Sequence, residues 1–213
     1  MNIDSPLWHP FTQHKTSGPM IAIERAQGAY LYTKDGRRII DAISSWWVNT
    51  HGHCHPKIVE AVKQQAEKLD QVIFAGFTHD PAERLAAKLL RHTGDKLSRV
   101  FLSDSGSTAV EVALKMAIGY WHHKGEKRSK IVALEHGYHG DTFGAMAAGA
   151  RSAFSKIYEP YLFQVERLPF PGDSQNILNI FEQILQQNDV AALVACRLDA
   201  RKQLRIRRNP EIA

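Results

Sequence analysis

An α/β fold is predicted by three features of the 213 residues: short apolar runs alternating with helical-period segments from about Arg99 onward, an Asp-Gly turn between two strand-like runs near the N-terminus, and a strand, small-residue turn and helix in succession over 100–114. At 44% hydrophobic and 23% charged, the composition is that of a chain able to bury a core. No run approaches the roughly 18 apolar residues of a membrane span. Met1 to Pro10 lacks the basic, apolar and small-residue succession of a secretory signal, and with two cysteines, Cys54 and Cys196, a disulfide framework is not expected. The expected setting is reducing and cytoplasmic, with no membrane association.

The first 50 residues read as extended segments. Gly28 to Thr33 and Arg38 to Ile43 flank Lys34-Asp35-Gly36, and Asp-Gly between such runs predicts a β-hairpin because glycine reaches positive φ without steric cost. After Pro56 the period changes. Ile58, Val62, Ala66 and Leu69 recur at helical spacing, and Pro56 falls in the first turn, where no amide donor is needed. Asp80-Pro81-Ala82-Glu83 opens a second helix, with Asp80 predicted to cap it and Glu83 to reach back. Val100 to Ser103 is predicted as a strand. Val110, Ala113, Leu114, Ala117 and Trp121 mark one face of the next helix, Ile131 to Leu134 another strand, and Thr142 to Ala150 a helix. Ile177, Ile180, Phe181, Ile184 and Leu185 mark a further helix before a strand at Val190 to Ala195. Apolar runs this continuous suit parallel strands covered on their faces.

The formal charge is +5, and its location decides what it means. Residues 196–213 carry six basic side chains, Arg197, Arg201, Lys202, Arg205, Arg207 and Arg208, against Asp199 and Glu211, so nearly all of the excess lies there. Without interleaved aromatics such a run reads as a solvated end, and no nucleic-acid partner is expected for the body of the chain.

Three stretches could carry chemistry. In Val100-Phe-Leu-Ser-Asp-Ser-Gly-Ser-Thr a strand runs through small residues into a helix. The first amides of a helix lack internal acceptors and face the positive end of its dipole, so Gly106 and Ser107 can donate to a phosphate, with the Ser105 and Ser107 hydroxyls in reach. A plain helix cap by Ser105 or Ser107 suits the same residues, and the segment alone leaves the two roles level. In Glu135-His-Gly-Tyr-His-Gly-Asp, Tyr138 stands just past a strand, where it could lie on a planar ligand or serve as a core tyrosine. In Ser44-Ser45-Trp46-Trp47, read as the end of the second hairpin strand, alternation sends the two indoles to opposite faces, where packing is the default role and a binding wall for one of them the alternative. His51-Gly-His-Cys-His55 holds ligand types for zinc, but Gly52 and Pro56 imply a turn and no second cluster follows, so no metal is assigned.

Together these motifs resemble the class III pyridoxal-phosphate aminotransferases. The resemblance covers Trp8-His-Pro-Phe-Thr, Asp35-Gly-Arg-Arg, Asp41 through Trp47, Gly52 through Pro56, Asp104 through Ala113 and Gly137 through Met146. It implies the fold type I (aspartate aminotransferase-like) architecture: residues 1–50 as a small-domain segment with the hairpin, 51–195 as part of the cofactor domain, and 196–213 as an aberrant basic tail. It implies pyridoxal 5′-phosphate held by Ser105, Gly106 and Ser107, with Tyr138 stacked on its ring and bordering the substrate. Trp46 would line the substrate pocket and Trp47 support it. Phe11 stands where the family has a tyrosine, keeping the ring without the hydroxyl. Ser-Trp-Trp and Asp141 resemble the branch that transfers an amino group from S-adenosylmethionine to 8-amino-7-oxononanoate in biotin biosynthesis; the alternatives are another class III aminotransferase or a noncatalytic phosphate-binding fragment. Family members are homodimers about twice this length. The resemblance fades after about Ala195, so the Schiff-base lysine is expected to be missing, no catalytic residue is nominated, and the chain is read as a truncated, inactive form.

Overall fold

The computed structural model describes residues 2–3, 5–94, 96–170 and 174–195; the expected basic tail lies outside them. The chain divides into two packing units, one through Lys88 and one from Leu89.

In the first unit β1 (Asn2–Ile3) pairs antiparallel with β2 (Met20–Ile21). Three further strands, β3 (Ile23–Gln27), β4 (Tyr30–Thr33) and β5 (Arg38–Ile40), form an antiparallel meander. The predicted hairpin is β4–β5: Tyr30 faces Ile40, Tyr32 faces Arg38, and Gly36 turns at φ 85°. The Ser44 to Trp47 stretch does not continue β5. It forms α1 (Ser44–Trp47), a single turn in which all four residues have positive φ, between 48° and 69°. The alternation expected of the two indoles therefore does not exist. Local acceptors, described below, hold the chain in a region that strand propensity alone would avoid.

Then follow α2 (Pro56–Ala66), with Pro56 in its first turn as predicted, and α3 (Asp80–Arg91). The expected Asp80–Glu83 box is absent. Asp80 pairs with Arg84 at 3.1 Å, Glu83 accepts from Thr78 Oγ1 at 2.5 Å, and the first-turn amide of Ala82 reaches His79 Nδ1 at 3.3 Å. An imidazole one residue earlier has displaced the carboxylate from the cap.

The second unit centres on a parallel sheet of order β7-β6-β8, with β6 (Lys130–Leu134), β7 (Glu166–Leu168) and β8 (Val190–Val194). Ahead of it lies α4 (Gly106–His123), whose Leu114 is buried while Val110, Ala117 and Trp121 are partly covered; Ala113, expected on the same face, is exposed. Trp121 Nε1 donates to Ala191 O at 2.9 Å, tying α4 to β8. Between β6 and β7 come α5 (Phe143–Ala148) and a 3-10 turn at Lys156–Tyr161, and α6 (Ser174–Leu185) joins β7 to β8. Val132, Leu168, Ile184 and Val190 form the core, with Leu134, Ile180 and Phe181 packed on it. The predicted strand at Val100–Ser103 is not one: those residues make no ladder and Phe101 and Leu102 are exposed. A strand needs a neighbour to pair with, and among the described residues none lies beside it.

Candidate functional site

The start of α4 is built as a donor cluster. Ser105 is the N-cap, extended at φ −155° and ψ 167°, and forms a reciprocal box with Thr108: its Oγ accepts from Thr108 N at 3.1 Å, and Thr108 Oγ1 accepts from Ser105 N at 3.0 Å. Ala109 N returns to Ser105 O at 2.9 Å. The Thr108 and Ala109 amides are thereby satisfied, leaving those of Gly106 and Ser107 as the first-turn donors that neither cap nor helix ladder takes up. Space is open where a Gly106 side chain would point. Of the two residues the sequence offered as a cap, the structure gives that role to Ser105.

The loop after β6 docks on this helix start. Asp141 N donates to Ser107 Oγ at 3.1 Å. Gly140 sits at φ 127°, and a β-carbon there would stand 2.8 Å from Ser107 Cα, so only glycine fits. Tyr138 Oη donates to Asp141 Oδ2 at 2.7 Å, and the ring is 70% exposed, so it is not a core tyrosine. The bond to Asp141, then burial, raises the phenol pKa above its ordinary 10.0, and the hydroxyl remains protonated near neutrality. Beside it His139 Nε2 is buried without a hydrogen-bond partner among the described residues; burial, with Arg167 nearby, lowers its pKa and favours the neutral ring.

Glu111 was missed by sequence reasoning, which saw only a polar residue inside a helical motif. Its Oε1 accepts from Thr142 Oγ1 at 2.6 Å, Gly144 N at 2.6 Å and Ala145 N at 3.1 Å, capping α5 from α4. Burial, the largest single influence, opposes its charge, but the three hydrogen bonds prevail and its pKa is lowered. At the other end of α5, the Arg167 guanidinium donates to the carbonyls of Ala147, Ala148 and Gly149 at 2.6, 2.5 and 2.8 Å. Acid at the positive end and base at the negative end complement the dipole of this short helix.

In the first unit, Phe11 and Trp46 meet edge to face, ring centroids 5.7 Å apart. They are 74% and 55% exposed, and Trp47 is 78% exposed. The turn bearing the indoles is held by Asp41, which accepts from Ser45 N at 3.0 Å, Ser45 Oγ at 2.8 Å and His53 Nε2 at 2.7 Å. The bonds from Ser45 and then His53 lower its pKa from 3.8 to about 2. His53 is fixed in turn by a backbone bridge to Gly28. His51 and His55 meet edge to face with centroids 6.3 Å apart. The structure therefore gathers Ser105, Gly106, Ser107 and Tyr138 in one unit, and Phe11 and Trp46 in the other.

The class III aminotransferase family model matches residues 11–196. The chain belongs to the class III aminotransferase family. Among curated relatives, adenosylmethionine-8-amino-7-oxononanoate aminotransferase of Synechococcus elongatus is 52% identical over 198 residues, 88% of this chain and 47% of its own length. The enzyme of that name from Staphylococcus aureus is 38% identical over 87% of this chain and 45% of its own. The solved structure of the Methanocaldococcus jannaschii enzyme of the same name superposes with a TM-score of 0.78 at 36% identity, covering 88% of this chain and 44% of that one. An amine transaminase from an uncultivated Pseudomonas species, solved in its PLP-bound form, superposes at 0.77 with 27% identity, over 92% and 49%. The fold is fold type I in the part the chain spans, and the chain spans about half the length of the curated relatives it matches.

Proposed function

We propose that this chain supplies the phosphate grip and ring support of an aminotransferase that moves an amino group from S-adenosylmethionine to 8-amino-7-oxononanoate, giving 7,8-diaminononanoate. The observation that carries the reading is the pair of first-turn amides, Gly106 and Ser107, at the positive end of the 18-residue helix α4 with the exposed Tyr138 ring tied to the same turn through Asp141. That donor set suits a phosphate dianion: two backbone N–H groups, the Ser107 hydroxyl and the helix dipole, with room above Gly106. Pyridoxal 5′-phosphate is the group that fits a phosphate site beside an exposed aromatic face, and when bound it supplies an electron-withdrawing ring that carries the amino group.

Each residue then has a task. Gly106 and Ser107 bind the phosphate, and Ser105 keeps that turn extended and open. Tyr138 provides the stacking face, its hydroxyl turned aside to Asp141, and borders the substrate. Trp46 and Phe11 form an apolar substrate wall supported by Trp47, which excludes water from one side of an aliphatic substrate. The branch of the family is supported by the names of the relatives, the Ser-Trp-Trp triplet and Asp141. Residues 1–50 fit as a small-domain segment and 51–195 as part of the cofactor domain of a cytoplasmic homodimer. No lysine among the residues assigned to the site offers an amine for covalent attachment.

The experiment uses the 213-residue chain with pyridoxal 5′-phosphate, S-adenosylmethionine and 8-amino-7-oxononanoate. Reversible binding of the cofactor is expected, with no single lysine trapped by borohydride and no 7,8-diaminononanoate formed. Specific trapping at one lysine with sustained turnover refutes this division of labour.

A further inference from the structure

Two glycines mark where the loop and helix after β6 press against α4. Gly140 lies on Ser107, and Gly144 lies on Glu111, where a β-carbon would stand 2.7 Å from the carboxylate carbon. Ser107 and Glu111 are four residues apart and share one helix face. Residues 140–144 therefore run along that face, fixed at one end by the bond from Asp141 N to Ser107 Oγ and at the other by the Glu111 carboxylate on Thr142, Gly144 and Ala145. The first anchor is Asp141 itself, whose carboxylate also holds the Tyr138 hydroxyl.

We propose that Glu111 is a positioning residue for the cofactor ring: by fastening Thr142 and the first turn of α5 to α4, it sets where the Tyr138 ring stands relative to the Gly106 and Ser107 amides. This rests on the proposed role of Tyr138 as the stacking face. Glu111 touches neither phosphate nor ring, and its influence passes through Thr142 and Asp141. A carboxylate that only capped α5 would change the stability of that helix and leave the selectivity of the cradle alone.

The test separates ring from phosphate with two probes. Inorganic phosphate reads the amides alone, whereas pyridoxine 5′-phosphate, which has no aldehyde and cannot bond to lysine, reads amides and ring together. In Glu111→Ala the affinity for pyridoxine 5′-phosphate should fall roughly three- to tenfold, the range set by loss of an aromatic stack, while that for inorganic phosphate stays within about twofold. Glu111→Gln, which keeps an acceptor oxygen, should recover most of the loss. Gly144→Ala displaces the same carboxylate from the α5 side and should reproduce the selective loss even if Glu111→Ala fails to fold. Equal losses for both probes, or no loss for either, overturn the positioning role while leaving the cofactor site standing. A wild-type chain that binds neither probe overturns the cofactor reading and this proposal with it.

Discussion

The carboxylate of Asp41 accepts three hydrogen bonds and so holds a backbone that would otherwise relax. Left-handed conformation costs an L-residue about 1–2 kcal/mol, and Ser44, Ser45, Trp46 and Trp47 all adopt it. With its folded pKa lowered to about 2 from 3.8, Asp41 contributes stability that is present above the ordinary value and is lost as the pH falls through about 2. Near-ultraviolet circular dichroism from the tryptophans should therefore hold steady from pH 7 to 5 and fade between about 4 and 2. In Asp41→Asn the fading should already be present at pH 7, and a signal unchanged there would dismiss the tether. None of this was legible in the sequence, where Asp41 and His53 are twelve residues apart and Ser-Trp-Trp follows a strand without a break. The turn is held by a local acceptor, Asp41, whose carboxylate also takes a bond from His53, a donor that only the fold brings near.

Among elements, α5 is the clearest case of a helix made by its neighbours. Six residues are too few to be stable alone, yet Gly144, Ala145, Ala147 and Ala148 are buried, and Glu111 and Arg167 satisfy the two ends. Arg167→Lys replaces a planar fork with a point donor and should lower the stability of the second unit by about 1–3 kcal/mol, seen as faster hydrogen exchange at Ala147 and Ala148. Ser105→Ala removes the α4 cap and should cost about 1 kcal/mol in a thermal melt, leaving the Gly106 and Ser107 amides in place. The sequence disclosed α2, α4, α6, β6 and β8 because each carries its own period or an apolar run. It did not disclose β7, where Glu166-Arg167-Leu168 has one apolar residue and pairing with β6 alone makes the strand. It announced a strand at Val100–Ser103 from composition, and the structure has none there because no partner adjoins it.

For the molecule as a whole, the apolar face of α2 is the notable surface. Ile58 and Val62 lie in an open groove with Ala61, Ala66 and Leu69, and Val62 is 63% exposed. Surfaces of this kind associate, so the chain should sediment with a concentration-dependent mass, and Val62→Lys should weaken that dependence; a monomer at all concentrations would count against it. The helix-start cradle was the most legible feature of the candidate site, since glycine and serine between a strand-like run and a helical period imply free amides. Which serine caps the helix required coordinates, and it is Ser105.

Gly106→Pro decides the account most sharply. Proline suits the first helical position, the extended Ser105 before it tolerates the ring, and a β-carbon there meets nothing within 4 Å, so the helix should form as before with one amide donor deleted. Titrated with inorganic phosphate and followed by amide chemical shifts, the wild-type chain should respond first at Gly106 and Ser107, and Gly106→Pro should bind at least about tenfold more weakly with an unchanged melting temperature. Equal affinity in the two proteins, or wild-type shifts centred elsewhere, would mean that the start of α4 is not where this chain grips phosphate.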